Sequence, residues 1–169
     1  MKIGLVGVGL SGSLLAVYLA KRGYEVHLFE RRPDMRGGQY QGGRSINLAL
    51  SNRGIRALER VGLDIPVLEE AVPMYGRMMH AVDGSLSYQP YGKDGQAIYS
   101  VSRGGLNVQL LQLADKYPNI HLYFYHRCTQ ADLESATADF IDNEGTVVSF
   151  SGDYLIGTDG AYSAVRDAF

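Results

Sequence analysis

The stretch that most limits how this chain can fold is its first thirty residues, Met1 to Glu30. Lys2-Ile-Gly-Leu-Val6 is a short apolar run. Gly7-Val-Gly9-Leu-Ser-Gly12 follows as a glycine turn, Ser13 to Arg22 has helical character, and Tyr24 to Phe29 is a second apolar run closing on Glu30. Strand, glycine turn, helix, strand and terminal acid is the order of a βαβ unit with a dinucleotide fingerprint. Each glycine has a mechanical role. Gly7 makes the tight turn, Gly9 admits a pyrophosphate to the backbone, and Gly12 lets helix and strand pack closely. The helix N-terminus presents unpaired N–H groups and the positive end of its dipole. Glu30 is placed to accept hydrogen bonds from a ribose diol. The fingerprint does not by itself choose between NAD and FAD.

Composition excludes several classes. At 169 residues the chain fits one domain with a real core. Hydrophobic residues at 46% and charged residues at 20% describe a soluble globular protein, and a net charge of −2 argues against a nucleic-acid surface. The single cysteine, Cys128, leaves no partner for an internal disulfide and suits a reducing compartment. No apolar run approaches the roughly 20 residues of a membrane span. No secretory or transit segment precedes the first strand, so a cytoplasmic location is the expectation.

Along the chain, Arg31 to Gly38 is polar, contains a proline and two glycines, and reads as a loop. Gln41-Gly-Gly-Arg44 is a second glycine-rich piece, and Ser45 to Leu50 is short and apolar. Ser51 to Arg60 reads as a helix with Ser51 as a candidate N-cap, and Leu68 to Ala71 as a helical turn. From Pro73 the character changes. Tyr75 to Val82 and Ser85 to Tyr88 flank Asp83-Gly84, a strong hairpin signal, and Ala97 to Val101 is a third strand-like run. These predict an antiparallel sheet inserted into the nucleotide-binding domain. Gly105 to Lys116 returns to helical spacing, and Ile120 to Tyr125 is an apolar strand. Ala138 to Asp142 and Thr146 to Phe150 form a second hairpin around Asn143-Glu-Gly145. Tyr154 to Ile156 is a short strand ending in Gly157-Thr-Asp-Gly160, and Ala161 to Phe169 begins a helix.

Other side chains divide between ordinary and functional readings. Tyr75, Tyr88, Tyr91 and Tyr99, among twelve tyrosines, suit half-buried strands or an aromatic pocket, and composition favours strands. Arg44 is a loop arginine or a phosphate clamp. Arg77 points to water or meets a carboxylate. Asp159-Gly160, between strand and helix, is turn chemistry or presents an acid and backbone amides to a cofactor. His27, His80, His121 and His126 show no metal spacing, so no metal site is expected. There is no GxSxG elbow and no Walker lysine, which removes the serine-hydrolase and NTPase readings.

Several stretches together resemble a known group. They are Gly43-Arg-Ser-Ile-Asn-Leu-Ala-Leu-Ser51, Gly76-Arg-Met78, Gln89-Pro-Tyr-Gly92 and Leu155-Ile-Gly-Thr-Asp-Gly-Ala-Tyr-Ser-Ala-Val-Arg166, together with the opening fingerprint and Phe29-Glu-Arg31. With these the chain resembles the single-component FAD-dependent aromatic hydroxylases, most closely the branch acting on L-kynurenine, from Lys2 to about Arg166. The resemblance implies an α/β, Rossmann-like FAD-binding three-layer fold with an inserted antiparallel β-sheet, incomplete at the C-terminus. Residues 1–169 would be the N-terminal part of the FAD-binding domain, with 73–102 supplying strands of the substrate sheet. It implies FAD as cofactor, NADPH as co-substrate, and hydroxylation of L-kynurenine to 3-hydroxykynurenine with O₂ through a flavin C4a-hydroperoxide.

By the same resemblance, Gly7, Gly9, Ser11 and Gly12 meet the pyrophosphate, and Glu30 takes the ribose with Arg31 beside it. Arg44 and Ala49 lie along the cofactor, Arg103 reaches the pyrophosphate region, and Cys128 offers backbone near the adenine. Asp159 sits in a DG motif serving FAD and NADPH. Arg77 and Tyr91 hold the substrate carboxylate, a guanidinium fork plus a phenol. No residue of the chain is assigned a catalytic role. Two departures stand out. Gly104-Gly105 after Arg103 replaces more polar residues, and full enzymes of the group are much longer, with a second, Gly-Asp flavin motif. The expectation is a fragment that binds FAD weakly and does not hydroxylate kynurenine. The alternatives are a hydroxylase of another aromatic acid, another flavin enzyme such as a dehydrogenase, or a non-catalytic dinucleotide-binding module. Binding of NAD without flavin is disfavoured by the DG motif and the Gly43–Ser51 run.

Overall fold

The structure, a computed structural model, describes residues 1–38 and 47–168. The chain divides into two compact units, one made of Met1–Gly42 and Asn107–Phe169, the other of Gly43–Leu106. In chain order the strands and helices are β1 (Lys2–Val6), α1 (Leu10–Ala20), β2 (Glu25–Phe29), β3 (Asn47–Leu50), α2 (Asn52–Glu59), α3 (Asp64–Glu69), β4 (Val72–Met74), β5 (Gly76–His80), β6 (Leu86–Pro90), β7 (Ile98–Ser102), α4 (Arg103–Ala114), β8 (Ile120–Tyr123), β9 (Arg127–Asp132), β10 (Thr137–Ile141), β11 (Val147–Ser151) and β12 (Tyr154–Gly157).

The first unit is built on a parallel sheet of order β12-β1-β2-β8. Side chains alternate across it, so one face carries Ile3, Leu5, Val26 and Leu28, all buried. Helix α1 packs on β1, β2 and β8. It is apolar around most of its circumference, as a largely covered helix requires, and Ala16 and Val17 are fully buried. The opposite face carries Val6 and Phe29. They join Ala138, Phe140, Phe150 and Val165 in one cluster with the antiparallel meander β11-β10-β9. The Phe29 and Phe140 rings stack at 4.0 Å, and Phe150 meets Phe29 edge-on at 5.6 Å. Helix, parallel sheet and meander therefore form the expected three layers. Because Phe29 is locked in this cluster, the residue after it, Glu30, is held at a fixed point on the sheet's C-terminal rim.

The second unit holds a three-stranded antiparallel sheet of order β3-β7-β4 and a separate hairpin, β5-β6. Here the expectation is corrected. The third strand-like run does not extend the hairpin sheet; it pairs with β3 and β4, with Ala49 opposite Ser100 and Pro73 opposite Tyr99. The chain is turned away from the hairpin between Lys93 and Gln96, where the Gln96 amide donates to the Lys93 carbonyl. Helix α3 tolerates Pro66 because its first-turn N–H groups have no intrahelical partner, and Asp64 sits favourably at the same end.

A second correction concerns the segment after β12. The expected helix from Ala161 to Phe169 is absent: the described residues form turns and one 3₁₀ turn, Arg166–Ala168. The cause is Asp159, whose carboxylate accepts the Ser163 hydroxyl at 2.6 Å and the Ala164 amide at 2.7 Å. Ser163 Oγ in turn accepts the Arg166 amide. Side chains thus take amides that a helix would have given to carbonyls. Strand β9 has no signal in the sequence, because Arg127-Cys-Thr-Gln-Ala-Asp132 lacks an apolar alternation; pairing to β10 makes it a strand. Among the described residues no helix is long and apolar enough to cross a membrane.

Candidate functional site

The glycine turn between β1 and α1 is shaped by contacts that exclude any side chain. Gly7 has φ +98°, and a Cβ there would lie 2.6 Å from the Asp159 Cα and 2.7 Å from the Thr158 carbonyl carbon. A Cβ on Gly12 would collide with the Gly7 carbonyl oxygen and lie 2.6 Å from Thr158 Oγ1. The Gly7 amide donates to the Phe29 carbonyl at 2.8 Å, and Thr158 donates from its amide to Val6 O and from its hydroxyl to Gly7 O. Two motifs at opposite ends of the sequence are therefore one structure: the Gly-Thr-Asp-Gly turn is the wall against which the glycine turn is folded.

Gly9 is the opposite case. Nothing lies within 4 Å of where its Cβ would be. It caps α1 with extended backbone, φ −81° and ψ −174°, and no side chain closes the first turn of the helix. The first-turn N–H groups of a helix have no intrahelical partner, and Ser11 in that turn is exposed. A cradle open at Gly9 and closed at Gly7 and Gly12 fits a diphosphate.

Glu30 is buried, 6% exposed, and all its acceptor positions are taken. Oε2 accepts the Val8 amide at 3.0 Å and Arg32 Nη2 at 3.2 Å; Oε1 accepts the Arg32 amide at 3.0 Å and Nε at 2.8 Å. Burial pushes the carboxyl pKa up, but the Arg32 and Val8 hydrogen bonds outweigh it and hold the group below its ordinary value. The residue on Glu30 is thus Arg32, while Arg31 is exposed beside it. Strand β2 ends at Phe29 and the chain bends at Arg31 and Arg32, which brings the Arg32 side chain back onto the carboxylate.

Asn107 on α4 is a further residue that the sequence motifs leave out. It is 5% exposed and donates from Nδ2 to the Val8 carbonyl at 3.0 Å, while its Oδ1 accepts the hydroxyl of fully buried Ser13 at 3.3 Å. It ties turn, α1 and α4 together. The signal was available: an asparagine between Leu106 and Leu110 on an apolar helix face needs a partner.

Cys128 lies on β9 opposite Phe140 and is half-buried against the aromatic cluster. Burial, and then the charge of Asp159, raise its thiol pKa, so it is no thiolate at neutral pH. Gly7, Gly9, Ser11, Gly12, Glu30, Cys128 and Asp159 all belong to the first unit. The expected cofactor residue Arg44 lies outside the described residues.

In the second unit, Ala49 is on β3 and exposed, and Arg103 opens α4 and is exposed. Arg77 on β5 pairs in register with Gln89, and its Nε donates to Gln89 Oε1 at 2.8 Å. The Tyr91 amide donates to the Tyr75 carbonyl, continuing that register by two residues. Arg77 and Tyr91 are then diagonal neighbours on one face of the hairpin, both exposed.

Comparison with known proteins agrees with this geometry. The model of the "FAD binding domain" family matches residues 1–169. The chain belongs to the FAD-binding domain family. FAD is therefore the cofactor against which the cradle is read. Among curated proteins this domain is similar to kynurenine 3-monooxygenase of Anopheles gambiae, 49% identical over 98% of the chain, and to that of Myxococcus xanthus, 48% identical over 98%. The chain covers 35% and 36% of those two proteins, so it spans about a third of their length. Among solved structures it resembles p-nitrophenol 4-monooxygenase from Pseudomonas putida, with a TM-score of 0.83 at 22% identity, covering 97% of this chain and 42% of that one. That last likeness is one of fold.

Proposed function

We propose that this FAD-binding domain holds the adenosine diphosphate half of FAD in a kynurenine 3-monooxygenase, using NADPH and O₂ to convert L-kynurenine to 3-hydroxykynurenine. The observation that supports this most is the 49% identity to such an enzyme over nearly the whole chain. The arrangement of the glycine turn against Thr158-Asp159 agrees with it. FAD, once bound and reduced, supplies the oxygen-activating chemistry; the residues here bind and orient. The first-turn amides of α1, beside Gly9 and Ser11, take the diphosphate. Glu30 takes the ribose hydroxyls. Two of its four acceptor positions are held by backbone amides, so the sugar gains its place by displacing the Arg32 guanidinium. Arg31, Arg44, Ala49 and Arg103 complete the cofactor contacts in this reading. Cys128 offers its backbone to the adenine, and Asp159 holds the turn that backs Gly7. Residues 73–102 supply strands of the substrate sheet, with Arg77 and Tyr91 on one face to take the amino-acid carboxylate.

Because the chain spans about a third of its relatives, it is expected to bind FAD weakly and to lack hydroxylation by itself. The test is a titration of the purified chain with FAD, followed by flavin fluorescence, alongside NADPH oxidation with and without kynurenine. Saturable binding displaced by ADP, with no kynurenine-stimulated oxidation, is the expected result. Absence of FAD binding at any concentration removes the cofactor site. Stimulated oxidation removes the claim of incompleteness.

A further inference from the structure

The parallel sheet has a second polar cluster, at the end away from the glycine turn. Glu25 opens β2, whereas Glu30 follows its last residue, a separation of roughly 16 Å along a strand. On the face shared with Phe29, β2 carries Glu25 and His27, two residues apart and therefore on one side. β8 carries His121, the direct register partner of His27. The linear sequence hides this grouping, since register alone brings His121 to the β2 pair.

We propose that Glu25, His27 and His121 form a three-ligand site for a zinc-class divalent cation. One ligand atom from each lies within 4.8 Å of the others. His27 Nε2 is 2.8 Å and His121 Nε2 is 3.9 Å from the same oxygen, Glu25 Oε1. A tetrahedral ion with bonds near 2.0–2.1 Å needs ligand atoms roughly 3.3 Å apart. The closest pair must open slightly and the widest must close, both within rotamer adjustment of two partly exposed side chains. Two imidazoles and one carboxylate are a borderline donor set that suits zinc, nickel or copper better than magnesium or calcium. Three protein ligands leave a fourth position for water.

The surroundings favour a fixed ligand. His27 is 8% exposed and its other nitrogen, Nδ1, lies 3.1 Å from Tyr123 Oη. With Nε2 on a cation, Nδ1–H donates to that oxygen, and such a partner sets tautomer and ring orientation. The ring is also stacked on Tyr123 at 5.8 Å and held by Phe150 at 5.4 Å. Phe150 reaches this place because β1 has Gly4 opposite His27; a Cβ there would sit 2.5 Å from the Phe150 ring. The nearby opposing charge is Lys2, the register partner of Glu25, whose Nζ lies 4.9 Å from the centroid of the Phe150 ring.

The experiment uses tag-free chain stripped with a chelator and titrated with Zn²⁺ by calorimetry, with Co²⁺ absorbance reporting coordination. The expected result is one equivalent bound, with intense tetrahedral Co²⁺ bands. His121→Ala and Glu25→Ala, both at exposed side chains, each weaken binding at least tenfold while far-UV circular dichroism stays unchanged. Tyr123→Phe weakens it about tenfold through the lost orienting hydrogen bond. The proposal is overturned by an absence of saturable binding, or by binding that persists undiminished in both His121→Ala and Glu25→Ala. Neither readout depends on FAD, so failure here leaves the cofactor reading untouched.

Discussion

Replacing Glu30 by Gln tests whether the acid on the sheet rim is held as the structure shows. The amide keeps one acceptor oxygen, so at most two of the four donors now on Glu30 remain satisfied. The other two meet an N–H₂ group, donor against donor. If the Val8 amide is the one abandoned, it is left unpaired at a residue only 1% exposed, which costs about 1–3 kcal/mol. If the Arg32 side chain is abandoned, it regains water, because it is 41% exposed, and that loss is discounted to about 1 kcal/mol or less. Adding donor repulsion, the variant is less stable by about 2–3 kcal/mol at pH 7, a fall in Tm of roughly 5–10 °C for a chain of this size.

The pH dependence gives a sharper readout. The folded pKa of Glu30 lies below 4.5, so its contribution is fully present above that value and is lost as pH falls through the folded pKa. Gln has nothing to protonate. The gap in unfolding free energy between wild type and Glu30→Gln, measured by urea denaturation, therefore stays constant from pH 7 to about 5 and narrows in more acid solution. Hydrogen bonds also hold Glu25, Asp34, Asp83, Asp132 and Asp142 low, so the wild-type curve alone cannot isolate Glu30; the difference curve does. A gap under about 0.5 kcal/mol, or one that does not narrow in acid, refutes the picture of a buried carboxylate held by Arg32 and Val8.

Other substitutions separate folding from binding. Gly9→Ala has extended backbone that alanine accepts and open space for its methyl, so stability changes by under about 0.5 kcal/mol while FAD affinity falls; unchanged affinity would remove Gly9 from the site. Gly12→Ala places its Cβ on the Gly7 carbonyl and should abolish cooperative unfolding or lower stability by more than about 2 kcal/mol, read by thermal denaturation. Phe140→Ala empties the centre of the aromatic cluster and costs about 3–5 kcal/mol in urea denaturation. Arg32→Ala leaves ADP affinity equal or tighter by calorimetry, because the ribose then has no guanidinium to displace; a loss of affinity refutes that displacement.

What the sequence makes legible is whatever depends on local chemistry. The βαβ unit can be read because a glycine turn between two apolar runs has few other uses, and Glu30 because its place at a strand end follows from the run's length. The failures share one cause, the action of groups the local pattern does not show. No motif points to Arg32, yet its guanidinium holds the Glu30 carboxylate. Composition points to a helix after Gly160, yet a carboxylate at Asp159 claims its amides. Strand β9 exists only through its partner β10. Asn107 and Thr158 show the same principle acting on the candidate site itself. Neither belongs to the glycine fingerprint, yet one bonds the Val8 carbonyl and the other the Gly7 carbonyl. The fingerprint supplies the permissive residues, glycines that allow a turn. The shape of that turn is imposed by polar side chains contributed from α4 and from the end of β12. A variant of Thr158 should therefore perturb the glycine turn as much as a variant within it, and Thr158→Val, which keeps the branch and removes the donor, isolates the hydroxyl from the packing.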